Sequence, residues 1–498
     1  MKKLLIFIAF LGLISANPNP LYAKVIDFDI YKLDANPFSN DPVLLVMSGI
    51  QGDEPGAFNA TSILIKHYKI TRGSLWVVPN LNQHSILKNN RGIYGDMNRK
   101  FAYLSPNDPE YGTIQKIKAL ILDERVEKIL HLHDGSGFYR ETYINAMLNQ
   151  NRWGNCSIID QDTLFTNGDL NYNITQMIDY INENLLDEIH RYRIRNTHTA
   201  QGDDEQIKSL TYFATLNKKM AFASEASKSL PLKKRVYYHL LAIEGMLQNM
   251  GIEFERDFEL SVEQIGEMLH YKSANIVMEG IVELPLYNIK PTLNYFPLPK
   301  GQVAFQSNTP IVWLFKDGGI YRIKNGNRPI ATLKPFYIDF DNSLERVDLI
   351  VDGAEVSAKI GSVVKVKNSF SVKNLPYRVN IIGYSGSGSE VGVELKRRDL
   401  MGKFAIDKAN TKFRVEFYKG DFGDLGESGG ESNNFGHKSR ESGRDSGNSS
   451  ESNGDSVDFS ADSPKDSKRK NSSNSKQKAK EKFSGMIIVD FDNETATK

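Results

Sequence analysis

From about Val25 to Gly251 short apolar runs alternate with longer amphipathic stretches, and this rhythm constrains the chain more than any other feature. The pattern predicts strands at Val43–Ser48, Leu75–Pro79, Ile129–His133 and Met220–Glu225. It predicts helices at Gly56–Tyr68, Tyr111–Asp123, Ile174–Leu186, Ile207–Asn217 and Val236–Met250. Strands that alternate with helices argue for an α/β unit on a mainly parallel sheet, because each crossover helix must cover a face. Near Ile252 the character changes. Short β-rich runs separated by Gly, Pro and Asn take over, among them Ile311–Phe315, Ile320–Ile323, Val347–Val351, Tyr377–Tyr384, Val391–Leu395 and Phe413–Tyr418. These read as small all-β modules, sandwich or barrel, divided near Pro335.

The 498 residues leave ample room for several cores, and a formal net charge of +1 points to neither nucleic acid nor an acidic surface as partner. The chain opens with Lys2 and Lys3, an apolar Leu4–Ile14, and then Ser15-Ala16 or Leu21-Tyr22-Ala23 before a cut, the layout of an export signal. That apolar run is too short to span a bilayer comfortably, and no later stretch is long and apolar enough. A periplasmic or secreted protein is expected. Cys156 is the only cysteine, so no internal disulfide forms, and a packed thiol is the ordinary role for it. A tract rich in Ser, Gly, Asn, Asp and Lys runs from about 423 to 482 and holds too little apolar area to fold. Met486–Phe491 beyond it is a good strand. The tract is therefore expected to be a long loop between Phe413–Tyr418 and that final strand.

Two stretches carry chemistry. In the first, the apolar run Val43–Ser48 ends in Gly49-Ile50-Gln51-Gly52-Asp53-Glu54, a glycine-rich corner before a helix, where α/β sheets place their sites. In the second, Ile129-Leu130-His131-Leu132-His133 runs into Asp134-Gly135-Ser136-Gly137. His131 and His133 are two apart and share a strand face. Catalytic zinc takes three protein ligands and leaves one position for water. His133, Glu54 and the amide oxygen of Gln51 meet that count. Between the two stretches, Asn90-Arg91-Gly92-Ile93-Tyr94-Gly95-Asp96-Met97-Asn98-Arg99 is a polar loop with two arginines, whose planar forks match a carboxylate. Glu225 ends the apolar run Met220–Ser224, where a carboxylate can take a proton from water.

In this order, Gln51-x-x-Glu54, Arg91, Asn98-Arg99, His133 and Glu225 resemble the zinc carboxypeptidases of the carboxypeptidase A superfamily, with Gln51 in place of their first histidine. That substitution, the export signal and the trailing β modules resemble a narrower group, the peptidoglycan DL-carboxypeptidases of helical and curved bacteria. These trim muropeptide stems and so set cell shape. The resemblance covers Lys24 to Tyr418 and the final strand. It implies one zinc ion per chain held by Gln51, Glu54 and His133. Arg91, Asn98 and Arg99 would grip the substrate carboxylate and polarise the scissile carbonyl. Glu225 would be general base and then proton donor, and His131, Trp153 and Thr211 would wall the substrate pocket. The implied substrate is the murein tripeptide stem, cut between γ-D-glutamate and meso-diaminopimelate. The implied fold is an α/β zinc-carboxypeptidase domain with a mixed, largely parallel sheet, then two small all-β domains, a barrel or sandwich and an Ig-like module. The expected division is a signal peptide at 1–23, the catalytic domain at 24–252, and β domains at 253–335 and 336–498, the last carrying the tract. The β domains are candidates for contact with other cell-wall proteins. Two other readings use the same residues: a zinc amidohydrolase that deacylates N-acyl amino acids, and a non-catalytic murein-binding scaffold.

Overall fold

The computed structural model describes residues 28–164, 168–386, 388–420 and 481–491. The expected export signal at 1–23 and nearly all of the 423–482 tract lie outside the described residues.

A seven-stranded sheet carries the first unit. Its strands are β1 (Tyr31–Lys32), β2 (Val43–Met47), β3 (Ser74–Val78), β4 (Val126–Gly135), β5 (Cys156–Ile159), β6 (Arg193–Asn196) and β7 (Met220–Ser227). They lie in the order β1-β3-β2-β4-β7-β5-β6. β3, β2, β4 and β7 are mutually parallel, whereas β1 pairs antiparallel to β3 and β5 pairs antiparallel to β7. The sheet is thus mixed and largely parallel. β2 and β3 are buried at every position, so their sequences run apolar without alternation.

Helices cover both faces: α1 (Pro55–His67), α2 (Gln83–Lys88), α3 (Tyr111–Ile121), α4 (Leu170–Glu183), α5 (Leu210–Leu216), α6 (Leu232–Asn249) and α7 (Val262–Met268). One apolar cluster joins α1, α4, α6 and α7 to one face, with Ala57, Ile174, Leu240 and Ile265 fully buried. A second lies across the sheet, where Ile114, Ile117 and Leu210 meet Leu45 and Ile129. Three expected helices shift, among them α6, which starts at Leu232 rather than Val236. α4 starts four residues earlier than its apolar rhythm suggests, because Asp169 caps the Tyr172 N–H. The run from Ile207 breaks at Ser209, whose hydroxyl caps Tyr212 N–H and starts α5 afresh.

The middle module contains β8 (Asn275–Met278), β9 (Val282–Pro285), β10 (Thr292–Leu298), β11 (Phe305–Ser307), β12 (Val312–Asp317), β13 (Ile320–Asn325) and β14 (Arg328–Tyr337), in sheets β9-β8-β11 and β10-β14-β13-β12. The last module contains β15 (Arg346–Val351), β16 (Ala354–Lys359), β17 (Val363–Lys365), β18 (Ser369–Val372), β19 (Arg378–Ile381), β20 (Leu395–Lys396), β21 (Lys412–Lys419) and β22 (Lys482–Asp490), in sheets β16-β15-β18-β20 and β17-β22-β21-β19. Of the expected strand Val391–Leu395 only Leu395 is in a strand, and Val391-Gly392 forms a turn. Gly392 there has φ +74, which no regular strand accepts. β21 and β22 pair antiparallel along their length although the long tract separates them in sequence. One apolar cluster runs through both modules, from Ile276 and Val282 to Phe413 and Ile488. Among the described residues no helix is long and apolar enough to cross a membrane.

Candidate active site

The central parallel strands β2, β4 and β7 end side by side, and their ends build the site. Past β2 the chain turns at Gly49, with φ +71, where a Cβ would lie 2.8 Å from the Pro79 carbonyl oxygen. At Gly52 a Cβ would fall 2.0 Å from the Ser85 carbonyl carbon. Only glycine lets this corner press onto α2, and the corner delivers Gln51 and Glu54.

Glu54 is the residue before α1 but does not cap it. The exposed N–H of Gly56 is taken instead by Asp134 Oδ2 at 2.8 Å. Asp134 is in turn held by Arg235 Nη1 at 2.6 Å and His239 Nε2 at 3.0 Å. Relieved of that task, the Glu54 carboxylate turns inward. Its Oε2 accepts from the Asp134 N–H at 3.2 Å and lies 2.9 Å from His133 Nδ1. The other nitrogen of His133 is 3.1 Å from His131 Nδ1, so the shared strand face becomes a contact between two buried rings.

Gln51 is fixed from its nitrogen end. Its Nε2 donates to Asp96 Oδ1 at 2.9 Å. A carboxylate can only accept, so the amide cannot be reversed, and Oε1 is left facing away from Asp96. That oxygen is buried and has no hydrogen-bond partner. Asp96 also orders the arginine loop. Its Oδ2 receives Arg91 Nε at 3.0 Å, and its Oδ1 receives the Asn98 N–H at 3.0 Å. Arg91 Nη1 then reaches Glu54 Oε1 at 3.5 Å. Asn98 Oδ1 accepts the Leu210 N–H at 3.0 Å, tying this loop to the start of α5, which carries Thr211.

Glu225 lies directly abreast of His133 in the parallel pairing of β7 with β4. Gly135 makes room for it, since a Cβ there would sit 2.7 Å from Glu225 Oε2. Trp153 forms a rigid wall, with the Arg195 guanidinium carbon 3.6 Å above its ring. Gln51, Glu54, Arg91, Asn98, Arg99, His131, His133, Trp153, Thr211 and Glu225, every residue singled out in the sequence, line one cavity of about 270 Å³. Asp134 and Lys228 line it too without having been singled out, and Asp96 lies behind it. Lys228 Nζ is 3.0 Å from Asp53 Oδ2 and 3.8 Å from Glu54 Oε1.

Burial governs the charges. It holds Glu225 well above the carboxylate range, and the nearby charges of Glu54 and Asp134 push the same way. It raises Glu54 to about 8 against the pull of Lys228, with Asp134 adding to the rise. It lowers His133 to about 3, helped by Arg91, so the imidazole is neutral and can ligate. Asp96 is half-buried, but Arg91 and the Gln51 amide outweigh that and keep it ionised. Cys156 is fully buried, which pushes its thiol well up and leaves it inert.

Among the described residues no group of three His, Cys, Asp or Glu side chains is arranged to hold a metal ion. A metal fits here only with an amide as third donor, and Gln51 Oε1 is a buried oxygen of that kind beside the Glu54–His133 pair. These residues therefore fit the group, with Gln51 Oε1, Glu54 and His133 Nδ1 as the donor set.

Comparisons with known proteins identify the family. Residues 5–270 match the family of catalytic domains described as carboxypeptidase controlling helical cell shape. Residues 272–339 match the β-barrel domain of the same peptidase family, and residues 340–492 match the C-terminal domain of metallo-carboxypeptidase. The crystal structure of product-bound cell shape determinant protein Csd4 from Helicobacter pylori is 40% identical, covering 93% of this chain and 100% of that one, with a TM-score of 0.78. Its tripeptide-bound form is 39% identical over 93% and 100% of the two chains, with a TM-score of 0.77. The mDAP-bound form, described as a D,L-carboxypeptidase, is 40% identical over 92% and 99%, with a TM-score of 0.77. No curated protein sequence matches the chain. A cavity at the ends of the central strands with a metal-competent donor set, followed by two β modules, and similarity across nearly the whole length lead to one conclusion: the chain belongs to the family of metallo-carboxypeptidases that control helical cell shape.

Proposed function

We propose that the protein is a periplasmic zinc DL-carboxypeptidase that removes meso-diaminopimelate from murein tripeptide stems by cutting the γ-D-glutamyl bond. The observation that carries this reading is the Gln51 amide oxygen, buried without a partner beside Glu54 and His133. Burying such an oxygen unsatisfied costs about 1–3 kcal/mol, so a ligand for it is expected. Atoms bound to one zinc at about 2.0–2.2 Å lie roughly 3–3.5 Å apart at tetrahedral angles. The 2.9 Å between Glu54 Oε2 and His133 Nδ1 is close to that spacing. When bound, zinc supplies Lewis acidity, lowering the pKa of water and polarising a carbonyl. The reading of 1–23 as an export signal supports a periplasmic site of action.

The chain's own residues divide the remaining work. Glu225, half-buried and abreast of His133, takes the proton of the attacking water and passes it to the departing amine. Arg91, at the rim beside Glu54, donates to the oxygen of the scissile carbonyl as charge develops there. Arg99 and Asn98 hold the terminal carboxylate of the substrate. Asn98 is well placed for this, because its oxygen is engaged by Leu210 N–H and its amide nitrogen is left to donate. His131, Trp153 and Thr211 close the cavity, and about 270 Å³ accommodates one terminal residue rather than two.

The test is incubation of the zinc-loaded chain, lacking residues 1–23, with murein tripeptide, followed by mass analysis. Dipeptide stem and free diaminopimelate are expected. Glu225→Ala should lower the rate by about 10²–10⁴-fold, the usual worth of a general base, at similar zinc content. Intact tripeptide after incubation with verified zinc would sink the proposal. Turnover of N-acyl amino acids in its place would select the deacylase reading.

A further inference from the structure

We propose that the joined β modules carry a second binding site, for an acidic N-acetylated saccharide such as the glycan strand of murein. The proposal rests on the reading above that murein is the polymer acted upon. A cavity of about 700 Å³ opens between β10 and β14 of the middle module and β19 and β21 of the last. Its walls are aromatic and cationic. Tyr295, Phe336 and Phe404 present rings that are 79%, 46% and 43% exposed. Flat exposed rings around a cavity suit the apolar faces of pyranoses, and Asn294 and Asn380 beside them offer amides to hydroxyl and acetamido groups.

Two further observations set this cavity apart from an ordinary crevice. Tyr295 has φ +50, in the left-handed region, within an irregularity where β10 slips register against β14 between Leu293 and Phe296. A bulky residue held there is strained, and the strain turns its ring out to the cavity rather than into the core. The Tyr295 carbonyl accepts from Arg414 Nη1 at 3.3 Å. Arg414 is 5% exposed, lines the cavity, and its buried Nε has no hydrogen-bond partner.

Charge selects an acid among saccharides. Four cations line the cavity, Lys290, Arg378, Lys403 and Arg414, against two carboxylates, Glu416 and Glu481. Arg378 is matched by Glu481 at 2.7 and 2.9 Å, and Arg414 by Glu416 at 3.2 Å. Lys290 Nζ donates only to the Gly402 carbonyl, and Lys403 pairs with no carboxylate among the described residues. Lys290 also lies in the field of Asp407, so among the described residues Lys403 is the positive charge left for a ligand carboxylate. Murein glycan offers this combination where its stems have been removed: an acetamido pyranose throughout and, on alternate sugars, a lactyl carboxyl freed from its amide link to the stem.

The test uses the full chain and glycan oligosaccharides stripped of their stems by an amidase, which give the peptide cavity nothing to bind. Calorimetric titration is expected to show saturable binding, with neutral chitotetraose about tenfold weaker. Tyr295→Gly removes the ring and relieves the backbone strain, so it should keep or raise the melting temperature while weakening glycan binding about tenfold. Lys403→Glu should weaken it by at least about fivefold. Both variants should hydrolyse free tripeptide at the wild-type rate. Absence of saturable binding to the wild type, or binding unchanged in Tyr295→Gly, would overturn the site and leave the cavity to a protein partner. Equal affinity for chitotetraose would overturn the acid-sugar assignment. Tripeptide hydrolysis is read separately, so failure of the carboxypeptidase reading is distinguishable from failure of this one.

Discussion

Gln51 acts through both of its ends. Asp96 holds the nitrogen and thereby aims the oxygen, so the donor set depends on an acid that makes no claim on the cavity itself. Asp96→Asn gives a partner that can donate as well as accept and no longer dictates which way the amide faces. We expect zinc affinity to fall about 10–100-fold, the usual cost of losing a group that orients a ligand. Zinc release to a chromophoric chelator would measure it, and unchanged release would reject the role. A neutral amide oxygen is also a weaker donor than imidazole. Gln51→His is therefore expected to need more chelator for half-removal of zinc than the wild type does. The ordered motif was enough to pick out the residues that share the cavity. Asp96 and Asp134 stood inside the same quoted stretches yet carried no signal. An acid in a polar loop looks solvated until the fold shows it paired with Arg91 or buried against His239.

At the scale of elements, strands with strong apolar runs were legible and irregular ones were not. β2, β4 and β7 were expected nearly where they lie, because each has a short buried apolar core: Val43–Met47 in β2, Ile129-Leu130 in β4 and Ala221–Ala223 in β7. β6, with Arg193 and Arg195, was missed, because an edge strand with charged side chains resembles a loop. The link from β14 to β15 is anchored by Asp341. Its N–H donates to the Phe483 carbonyl at 2.8 Å, and its carboxylate meets Ser343 N–H at 2.8 Å and Lys419 Nζ at 3.0 Å. The bonds from Ser343 and Lys419 lower its pKa from 3.8 to about 2. The folded state thus binds this proton less readily than the unfolded chain. The stabilisation is complete above 3.8 and is lost as pH falls toward about 2. Asp341→Asn should therefore melt below the wild type at pH 6, and the two curves should converge near pH 2. A gap that persisted in acid would contradict this account.

For the whole molecule, the catalytic unit and the β modules meet in a small apolar cluster, flanked by polar contacts such as Lys324 Nζ to the Leu87 carbonyl and Asn327 to Asn89. Phe58 of α1 and Ile86 of α2 pack with Ile311 and Trp313. Gly326, at φ +56, passes so close that a Cβ would lie 2.6 Å from the Phe58 ring. Phe58 sits one turn beyond Glu54, so the β12–β13 hairpin props the helix that starts at the donor set. Gly326→Ala is expected to destabilise by about 1–3 kcal/mol through overpacking and a disfavoured φ, as read by calorimetry. A melting temperature equal to the wild type's would argue that the contact is slack. None of this was legible beforehand, since an alternating pattern says that one face is buried but not against what. The apolar cluster common to both β modules was hidden for the same reason. The position of β22 has a practical consequence. It lies between β17 and β21, buried from Phe483 to Asp490, while residues 421–480 connect it to the rest. A chain cut within 421–480 would keep its sheet only while the terminal fragment stayed docked, as a two-piece protein completed by a short peptide. A stop codon in the same place would remove an inner strand rather than a tail, and would bare the edges of β17 and β21 to any other chain with a strand to lend.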